Sequence, residues 1–412
     1  MTTTAARKAE ARSRFRLPPA ASFVAMAAAF AAFFIAAGAP TPLLPIYEAK
    51  WNFPASMVTV AFGVYAIALL LTLLVVGSLS DHIGRRPLLI SALVLELVSM
   101  LVFLVSPSIS WIILARIIQG VATAAATSSF SAAILELAPD RRKHLAGVIT
   151  GLAPAAGIGI GALFSGVIAQ FSSSAAATVW IILAAVMLIA LVFAILTPET
   201  AARKAGAIAS LRPHVSVPPA ARSIFVVTLP SLIAAWLVSA LFLGLMPTIL
   251  HLKFGIDSPA VSGLAAFAEQ GTGGATAVAL SRMKPQRLVF AGGAAIVVGI
   301  ALFIGSIAAT SLPMLWIGAI VGGAGLGGAF TGTIRSLVPL VGAQERAGLF
   351  SAIYLVSYIT FGVPVILAGL FLSTIGITAI AVTFGVVTLV AAAVGVVTQL
   401  ATARRSGLAT KS

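Results

Sequence analysis

The sequence predicts an all-α membrane protein with twelve transmembrane helices in two pseudo-symmetric six-helix bundles. The first observation is composition: of 412 residues, 60% are hydrophobic and only 8% are charged, and the mean hydropathy is +1.13. Soluble domains contain about 25% charged residues. The composition therefore excludes a soluble enzyme, a disulfide-stapled secreted domain and a disordered chain.

The second observation is the number and length of the apolar segments. Each is long enough to cross about 30 Å of hydrocarbon, and none shows the two-residue alternation of a barrel strand. Because backbone groups in lipid must be hydrogen-bonded within their own segment, all are predicted to be helices. The first is not expected to be a cleaved signal peptide, since eleven others follow it. The segments are 21–46, 55–79, 87–106, 109–136, 145–169, 176–197, 223–250, 259–281, 287–308, 312–334, 347–371 and 376–400.

The third observation is the distribution of charge. Lys and Arg total 25 and Asp and Glu total 10, which gives a net charge of +15. Such a balance is also typical of nucleic-acid-binding proteins, but here the charges lie between apolar segments. With a cytoplasmic N-terminus, every basic residue lies inside except Lys50 and Lys253, outside, and Arg116, within a segment. The positive-inside rule then predicts that both termini are cytoplasmic. Because the basic residues are accounted for by this orientation, no nucleic-acid partner is expected. The protein is expected in the cytoplasmic (plasma or inner) membrane.

The longest inner connection divides six segments from six. It contains Pro198, Pro213, Pro218 and Pro219. A proline with an Ala-Gly pair seven to nine residues after it occurs twice, at 139–147 and at 339–348, about 200 residues apart. Duplicated helical halves with a site between them are a common architecture of transporters. The predicted domains are a cytoplasmic tail at 1–20, a six-helix bundle at 21–197, a cytoplasmic linker at 198–222, a second six-helix bundle at 223–400 and a cytoplasmic tail at 401–412.

Residues suited to enzymatic or cofactor chemistry are scarce. There is no cysteine, and the four histidines are scattered as His82, His144, His214 and His251. This excludes thiolate nucleophiles and cysteine metal sites, so no metal, no cofactor and no enzymatic activity are expected. Residues 323–328 match Gly-x-Gly-x-x-Gly, but a dinucleotide site needs a preceding strand and this match lies inside an apolar segment.

The most specific motif lies between the second and third segments. It reads Gly77-Ser-Leu79-Ser-Asp81-His-Ile-Gly84-Arg85-Arg86. The loop resembles the signature Gly-x-Leu-x-Asp-x-x-Gly-Arg-(Arg/Lys) of the major facilitator superfamily, with every fixed position filled. The resemblance implies two six-helix bundles that work by alternating access. It also implies a cytoplasmic gate, in which Asp81 lies near the start of the eleventh helix at 346–348 and Arg85 reaches Glu136.

The fourth segment carries a charge at membrane depth. Its Arg116-Ile-Ile-Gln119-Gly120 resembles the superfamily's second motif, Arg-x-x-Gln-Gly. A charge within a span costs at least ~2.5–3.5 kcal/mol on insertion scales, so Arg116 needs a partner or water. Because the third and fourth segments form a hairpin around Pro107, Glu96 and Arg116 differ in depth by only ~3 Å. Two arrangements stay open: a Glu96–Arg116 ion pair or, by family resemblance, an Arg116 turned to backbone carbonyls around the central cavity, with Glu96 beside a polar neighbour.

The fifth segment is rich in small residues four positions apart. The pairs Gly147/Gly151 and Gly157/Gly161 are expected to let another helix pack closely. The segment also resembles the glycine-rich fifth helix of efflux members, which often ends Gly-Pro-x-x-Gly-Gly, except that Ala162 replaces the proline and Ser165 a glycine. The predicted helix-packing residues are Gly151, Pro154, Gly157, Gly159, Gly161 and Gly166.

A single acid lies in the middle of the eighth segment. Glu269 follows Pro259 by ten residues, which places it ~15 Å deep, and no basic residue precedes Arg282 in that segment. Glu269 is a candidate for loading and releasing the coupling proton. The alternative is a permanently protonated acid that is hydrogen-bonded to a neighbouring helix.

The resemblance also suggests which side chains surround the central cavity. The family architecture places helices one, four, seven and ten around it, with two, five, eight and eleven alongside. The resulting lining is mostly apolar and aromatic, and it suits amphiphilic or lipophilic solutes better than sugars. The candidates are Thr123, Thr127, Trp236, Phe242, Gln270, Tyr354 and Tyr358.

The predicted function is secondary active transport of a small molecule. We expect proton-coupled efflux of an amphiphilic or lipophilic substrate by a monomer whose partners are the substrate, protons and the lipid bilayer. The alternative is proton-coupled uptake of a small metabolite or organic acid. An alternative of a different class is a transport-inactive membrane sensor or scaffold, against which the intact Asp81, Arg85 and Arg116 argue.

Overall fold

The computed structural model describes residues 16–201, 204–342 and 344–409. All regular structure in these ranges is helical. The helices are α1 (Pro19–Gly38), α2 (Pro40–Trp51), α3 (Ala55–Val76), α4 (Ser80–Ile83), α5 (Arg85–Val105), α6 (Ile109–Leu137), α7 (Lys143–Phe171), α8 (Ala175–Leu196), α9 (Pro219–Ala240), α10 (Met246–Phe254), α11 (Pro259–Ala279), α12 (Pro285–Ala309), α13 (Leu312–Leu337) and α14 (Arg346–Ala409).

The ends of the helices follow from local sequence. Five of the helices start on proline, whose fixed φ suits a first turn where no backbone N–H is needed. Ser258 caps α11 by accepting a hydrogen bond from the N–H of Val261 at 3.3 Å. Helices α2, α10 and α12 end at left-handed residues, Asn52, Gly255 and Thr310.

Ten helical stretches of the described chain are long and apolar enough to cross a membrane. One of them, 346–402, is interrupted at Gly376, whose φ of +76° breaks the helical path. Helix α11, with 21 residues, lies outside those ten. A π-helical turn at Leu241–Leu245 joins α9 to α10 within one stretch.

Several helix bounds differ from those predicted from hydropathy. Helix α9 begins at Pro219, inside the predicted linker 198–222, because proline starts a helix as readily as it breaks one. Helix α14 continues to Ala409, past the predicted end at 400. The predicted cytoplasmic positions of Arg7, Lys8, Arg12, Arg14, Arg203 and Lys411, and the ends 1–15 and 410–412 of the predicted tails, lie outside the described residues.

The helices of each half pack mainly on one another. In residues 19–196, α1 packs on α6, α7 and α8, while α6 also packs on α3 and α5. In residues 219–409, α13 packs on α9, α11 and α12, and α14 packs on α9 and α12. Two seams join the halves: α7 packs on α11, and α3 packs on α14.

The two seams close at the end of the molecule away from the linker. In the first, Gly166 and Gly263 lie directly against the backbones of Pro259 and Ala162. In the second, the rings of Phe62 and Phe361 lie 5.0 Å apart. Towards the linker the helices separate, and a Cβ placed on Gly151 would meet nothing within 4 Å. The prediction of Gly151 as a helix-packing residue is therefore wrong.

A Cβ placed on Gly147 would likewise meet nothing within 4 Å, whereas the glycines from Gly157 onwards in α7 pack closely. Gly157 and Gly161 lie against Phe34 and Ile35 of α1, while Gly159 faces Phe267 and Gln270 of α11. Helix α7 thus uses one glycine-rich face within its own half and another at the seam. Pro154 lies inside α7 without ending the helix.

Candidate functional site

A buried polar cluster on α6 ties four helices of the first half together. The Arg116 guanidinium donates from Nε to the carbonyl of Ala61 on α3 at 3.2 Å and from Nη1 to that of Ala37 on α1 at 3.4 Å. Its Nη1 also donates to Oε1 of Gln119 at 2.6 Å. The Gln119 amide in turn donates to Glu96 on α5 at 3.1 Å.

Of the two arrangements that the sequence leaves open, the direct ion pair between Glu96 and Arg116 is not the one formed in this structure. Residues three apart on a helix share a face, so Gln119 comes between the two charges and bonds to both. The geometry matches the alternative in which Arg116 binds backbone carbonyls and Glu96 has a polar neighbour. The guanidinium also lies 4.1 Å from the centre of the Tyr65 ring, within cation–π range.

Gly120 explains how α3 can approach this cluster. A Cβ at Gly120 would lie 2.6 Å from the carbonyl oxygen of Tyr65 and 3.0 Å from the backbone nitrogen of Leu69. Only glycine allows the two backbones to come this close. The close approach places the Ala61 carbonyl within reach of Arg116.

At the linker side, Arg85 is the centre of a second polar cluster. Its guanidinium donates to Ser80 at 2.6 Å, to Asp81 and, at 3.2 Å, to Glu136. The structure thus brings Arg85 and Glu136 together across α5 and α6. The preceding Gly84 has a φ of +98°, a conformation that L side chains rarely adopt. Gly77, which follows α3, lines a cavity that lies between α3 and α14 on the linker side.

Sequence reasoning missed two residues of this second cluster. The Glu199 carboxylate accepts hydrogen bonds from the backbone N–H groups of Arg85 at 2.8 Å and Arg86 at 3.2 Å, so it caps α5. Thr200 donates to Glu136 at 2.5 Å. The sequence does contain a hint of Glu199. It is an acid directly after the sixth segment, which ends on the same side of the protein on which the third segment begins. The Arg86 guanidinium donates to the carbonyl of Ile195, also at the end of α8.

Linker residues occupy the position beside the start of α14 where the resemblance implied Asp81. The hydrogen-bond partner of Asp81 is Arg85, and the first turn of α14 at Gly348 faces His214 and Ser216 instead. The structure therefore shows Asp81 paired within its own half, and it shows no hydrogen bond or ion pair between Asp81 and the described residues at 346–348. The linker is hydrogen-bonded to both halves, from the Lys204 N–H to the carbonyl of His82 at 2.9 Å and from the Ser216 N–H to that of Gly348 at 3.2 Å.

We expect Asp81→Asn to slow transport at least about tenfold while leaving membrane insertion intact. The substitution removes the charge of a half-exposed carboxylate–guanidinium pair, which contributes up to about 1 kcal/mol to stability, so the loss is expected in transport rate and not in folding. Asp140→Asn is the matched control, since Asp140 is an exposed acid on the same side that pairs with Lys143 at 2.7 Å. The measurement is initial transport rate at equal protein in the membrane, and a normal rate for Asp81→Asn would contradict a gating role.

Glu269 is fully buried on α11, and neither carboxylate oxygen has a hydrogen-bond partner among the described residues. The polar side chain beside it is that of Gln270, whose amide donates to Ser239 at 2.6 Å. The expected alternative, an acid hydrogen-bonded to a neighbouring helix, therefore differs from what the described residues form. The backbone of Glu269 lies against Gly323 of α13, so the acid belongs to the tightly packed contact between these helices.

A cavity of about 330 Å³ lies between the halves on the linker side. We call it the linker-side cavity. It is lined by α3, α6, α14 and the linker, and its wall includes Leu73, Gly77, Thr127, Arg212, Phe350 and Tyr354.

An aromatic ladder runs from this cavity towards the closed seam. Its members are Phe350, Tyr354, Tyr358 and Phe361 of α14, with Trp236 of α9 alongside. Successive ring centres of Phe350, Tyr354 and Tyr358 are 6.2 and 6.1 Å apart, and that of Trp236 lies 5.1 Å from Tyr358. Two predicted cavity residues, Thr127 and Tyr354, line the cavity, and Tyr358 and Trp236 continue the ladder.

The remaining predicted cavity residues are buried in contacts between helices and do not line the linker-side cavity. Phe242 is fully buried and packs on Phe303 of its own half, with the ring centres 6.0 Å apart. Thr123 is also buried and donates to the carbonyl of Gln119 at 2.8 Å. Gln270, 4% exposed, is held by Ser239. The prediction that these three line the cavity is wrong for this structure.

Comparisons with known proteins agree with this architecture. A family model described as Major Facilitator Superfamily matches residues 23–312, which is well over half of the chain. No curated protein matches the sequence. Because the family is one of transporters, the protein is a transporter and not an enzyme.

Two solved structures share the fold at low sequence identity. The human organic anion transporter MFSD10 (TETRAN) is 16% identical, with a TM-score of 0.64, over 92% of this chain and 100% of that one. A bacterial homologue of the human lysosomal transporter Spinster, in an inward-facing and unoccupied conformation, is 15% identical, with a TM-score of 0.74, over 92% and 97%. The helical halves, the motif at residues 77–86 and the family match lead to one conclusion: the chain belongs to the Major Facilitator Superfamily.

Proposed function

We propose that the protein exports a small amphiphilic or lipophilic molecule across the cytoplasmic membrane in exchange for protons. In this proposal all twelve segments cross the membrane, both termini are cytoplasmic, and two six-helix bundles of one monomer alternate the access of a central site. The observation that carries the proposal is the buried carboxylate of Glu269 on α11, whose oxygens have no hydrogen-bond partner among the described residues.

The arrangement of the seams supports alternating access. The halves meet on the side away from the linker and enclose a cavity on the linker side, which is one of the two states that such a mechanism requires. A rocking motion that closes the linker side would open the opposite seam. With cytoplasmic termini, the present state faces inward.

Glu269 is placed to respond to this motion. Helix α11 forms one seam with α7 and also packs on α13, so its surroundings change when the halves rock. A buried acid without a donor or counter-charge carries its proton in the closed environment. Opening to water would let the proton leave. One acid that is alternately enclosed and hydrated is sufficient to exchange a proton for a substrate.

The aromatic ladder supports an amphiphilic or lipophilic substrate. It offers ring faces and few hydrogen-bonding groups, whereas a sugar site needs many polar contacts.

We expect an imposed proton gradient to drive substrate out of the compartment that corresponds to the cytoplasm, and Glu269→Gln to abolish that response. Glutamine keeps the size of the acid and removes its titration. The measurement is flux in proteoliposomes, using a compound that raises the melting temperature (Tm) of the purified protein. The steady-state accumulation ratio should fall at least about tenfold, which corresponds to ~1.4 kcal/mol of lost driving force.

The control for this experiment is Glu345→Gln, an exposed acid on the linker side that accepts a hydrogen bond from the Gly342 N–H at 3.2 Å. Unchanged pH dependence in Glu269→Gln would remove Glu269 from the coupling mechanism. Accumulation in the same direction as the protons would instead identify uptake. Absence of flux under either gradient would identify a sensor or scaffold.

A further inference from the structure

The charge lining the linker-side cavity is entirely basic. Its described wall contains Arg212 and His214 from the linker and no acid. The other polar groups are hydroxyls, among them Ser128, whose Oγ is buried without a hydrogen-bond partner. Low-dielectric walls concentrate the field of such charges within a cleft.

The acids that could neutralise these basic groups are already bound elsewhere. Among the described residues of the linker side, each acid has a partner outside the cavity: Arg85 for Asp81 and Glu136, Lys143 for Asp140, the backbone N–H groups of Arg85 and Arg86 for Glu199, and the backbone N–H of Gly342 for Glu345. Arg212 is exposed and has no carboxylate within 4 Å in this part of the chain. Its positive charge is therefore available to a ligand.

The aromatic ladder ends with an unused donor. The indole Nε1 of Trp236 is buried without a hydrogen-bond partner among the described residues, and an indole can only donate. An acceptor atom on a ligand would satisfy it. The ring faces of Phe350, Tyr354 and Tyr358 extend from the basic mouth of the cavity to Trp236. The described wall of the cavity thus combines a positive mouth with the rings of Phe350 and Tyr354, and the ladder continues behind this wall to Trp236.

We propose that the linker-side cavity binds an organic anion, with its carboxylate or sulfonate at Arg212 and its apolar body on the ladder. This inference rests on the proposed transport function and specifies its substrate class. A cation would meet the Arg212 guanidinium and no acid in the described wall. A neutral molecule of the same shape would use the ladder alone. The sign of the ligand charge is therefore the property to test.

The test compares three probes that share one naphthalene body: 1-naphthalenesulfonate, 1-naphthalenesulfonamide and 1-naphthyl-trimethylammonium. Binding to the purified full-length protein in phosphatidylcholine nanodiscs is measured by equilibrium dialysis, with empty nanodiscs as background. We expect the sulfonate to bind about fivefold more tightly than the sulfonamide, because an exposed ion pair contributes up to about 1 kcal/mol. The cation should bind least.

Substitution of Arg212 locates the charge that is responsible. Arg212→Gln should weaken sulfonate binding about fivefold and leave the sulfonamide unchanged, and Arg212→Glu should reverse the order of anion and cation. Arg141→Gln is the matched control, since Arg141 is an exposed arginine on the same side, outside the cavity. It should leave all three affinities unchanged.

The outcomes separate the site from the transport proposal. Equal affinity for the three probes, no sulfonate binding, or equal effects of Arg212→Gln and Arg141→Gln would each overturn the anion site. If the sulfonate binds as expected but does not cross proteoliposomes under either pH gradient, the site stands and the proposed transport function fails. Because binding is measured without a gradient, it does not depend on proton coupling.

Discussion

Arg116→Gln is expected to abolish transport and to destabilise the first half of the protein by about 3 kcal/mol. Hydrogen bonds to a charged group contribute about 1.5–3 kcal/mol each when buried. Arg116 makes such bonds to α1 and α3 and also holds the Gln119 side chain that bonds to Glu96. Glutamine is too short to reach both carbonyls, so the junction of these helices loses its common donor.

The measurements are transport rate and Tm of the detergent-purified variant. Arg222→Gln is the control, because Arg222 is an exposed arginine at the start of α9 whose Nε donates to the carbonyl of Val217. A second comparison tests the bridge itself. Coupling energies should be larger between Arg116 and Gln119, or between Gln119 and Glu96, than between Arg116 and Glu96. An Arg116→Gln protein with normal Tm and rate would contradict this role.

Gly161→Ala is expected to destabilise the protein by about 1–3 kcal/mol, whereas Gly151→Ala is not. A Cβ at Gly161 would overlap the backbone carbonyl of Ile35 on α1, and neither backbone can yield without shifting a helix. A Cβ at Gly151 would meet nothing within 4 Å. Since alanine favours a helix over glycine by about 1 kcal/mol, Gly151→Ala should be neutral or slightly stabilising.

The two alanine variants form a matched pair on one helix, ten residues apart. The measurement is Tm in detergent, together with the fraction of protein that is inserted and monodisperse. Equal Tm values for the two variants would show that α1 and α7 do not pack at Gly161 as closely as described. A large loss for Gly151→Ala would show that a second helix covers that position.

The extent of each helix was largely predictable because hydropathy is a local property. Even so, α9 and α14 extend beyond their predicted bounds, since proline and charged residues are tolerated at helix ends. Depth along a helix was also predictable, and Glu96 and Arg116 do contribute to one cluster. The rotation of each helix about its axis was not. That rotation decides that Gln119 lies between the two charges.

The same limit explains the errors at Gly151 and Phe242. Gly151 and Gly161 belong to the same four-residue pattern, but only Gly161 faces a neighbouring helix. Phe242 lies in the π-helical turn at 241–245 and packs on Phe303, and hydropathy alone does not reveal which way such a residue faces. The capping of α5 by Glu199 joins residues 113 and 114 positions apart, which no local pattern reveals.

The double attachment of the linker has a mechanical consequence. Its backbone is hydrogen-bonded to His82 in one half and to Gly348 in the other, so the linker bridges the two halves. In the proposed cycle, the linker side can close only after at least one of these hydrogen bonds breaks and the linker moves aside. In the proposed alternating-access cycle, the length and stiffness of the linker would therefore shift the balance between the two states without altering any helix that lines the cavity.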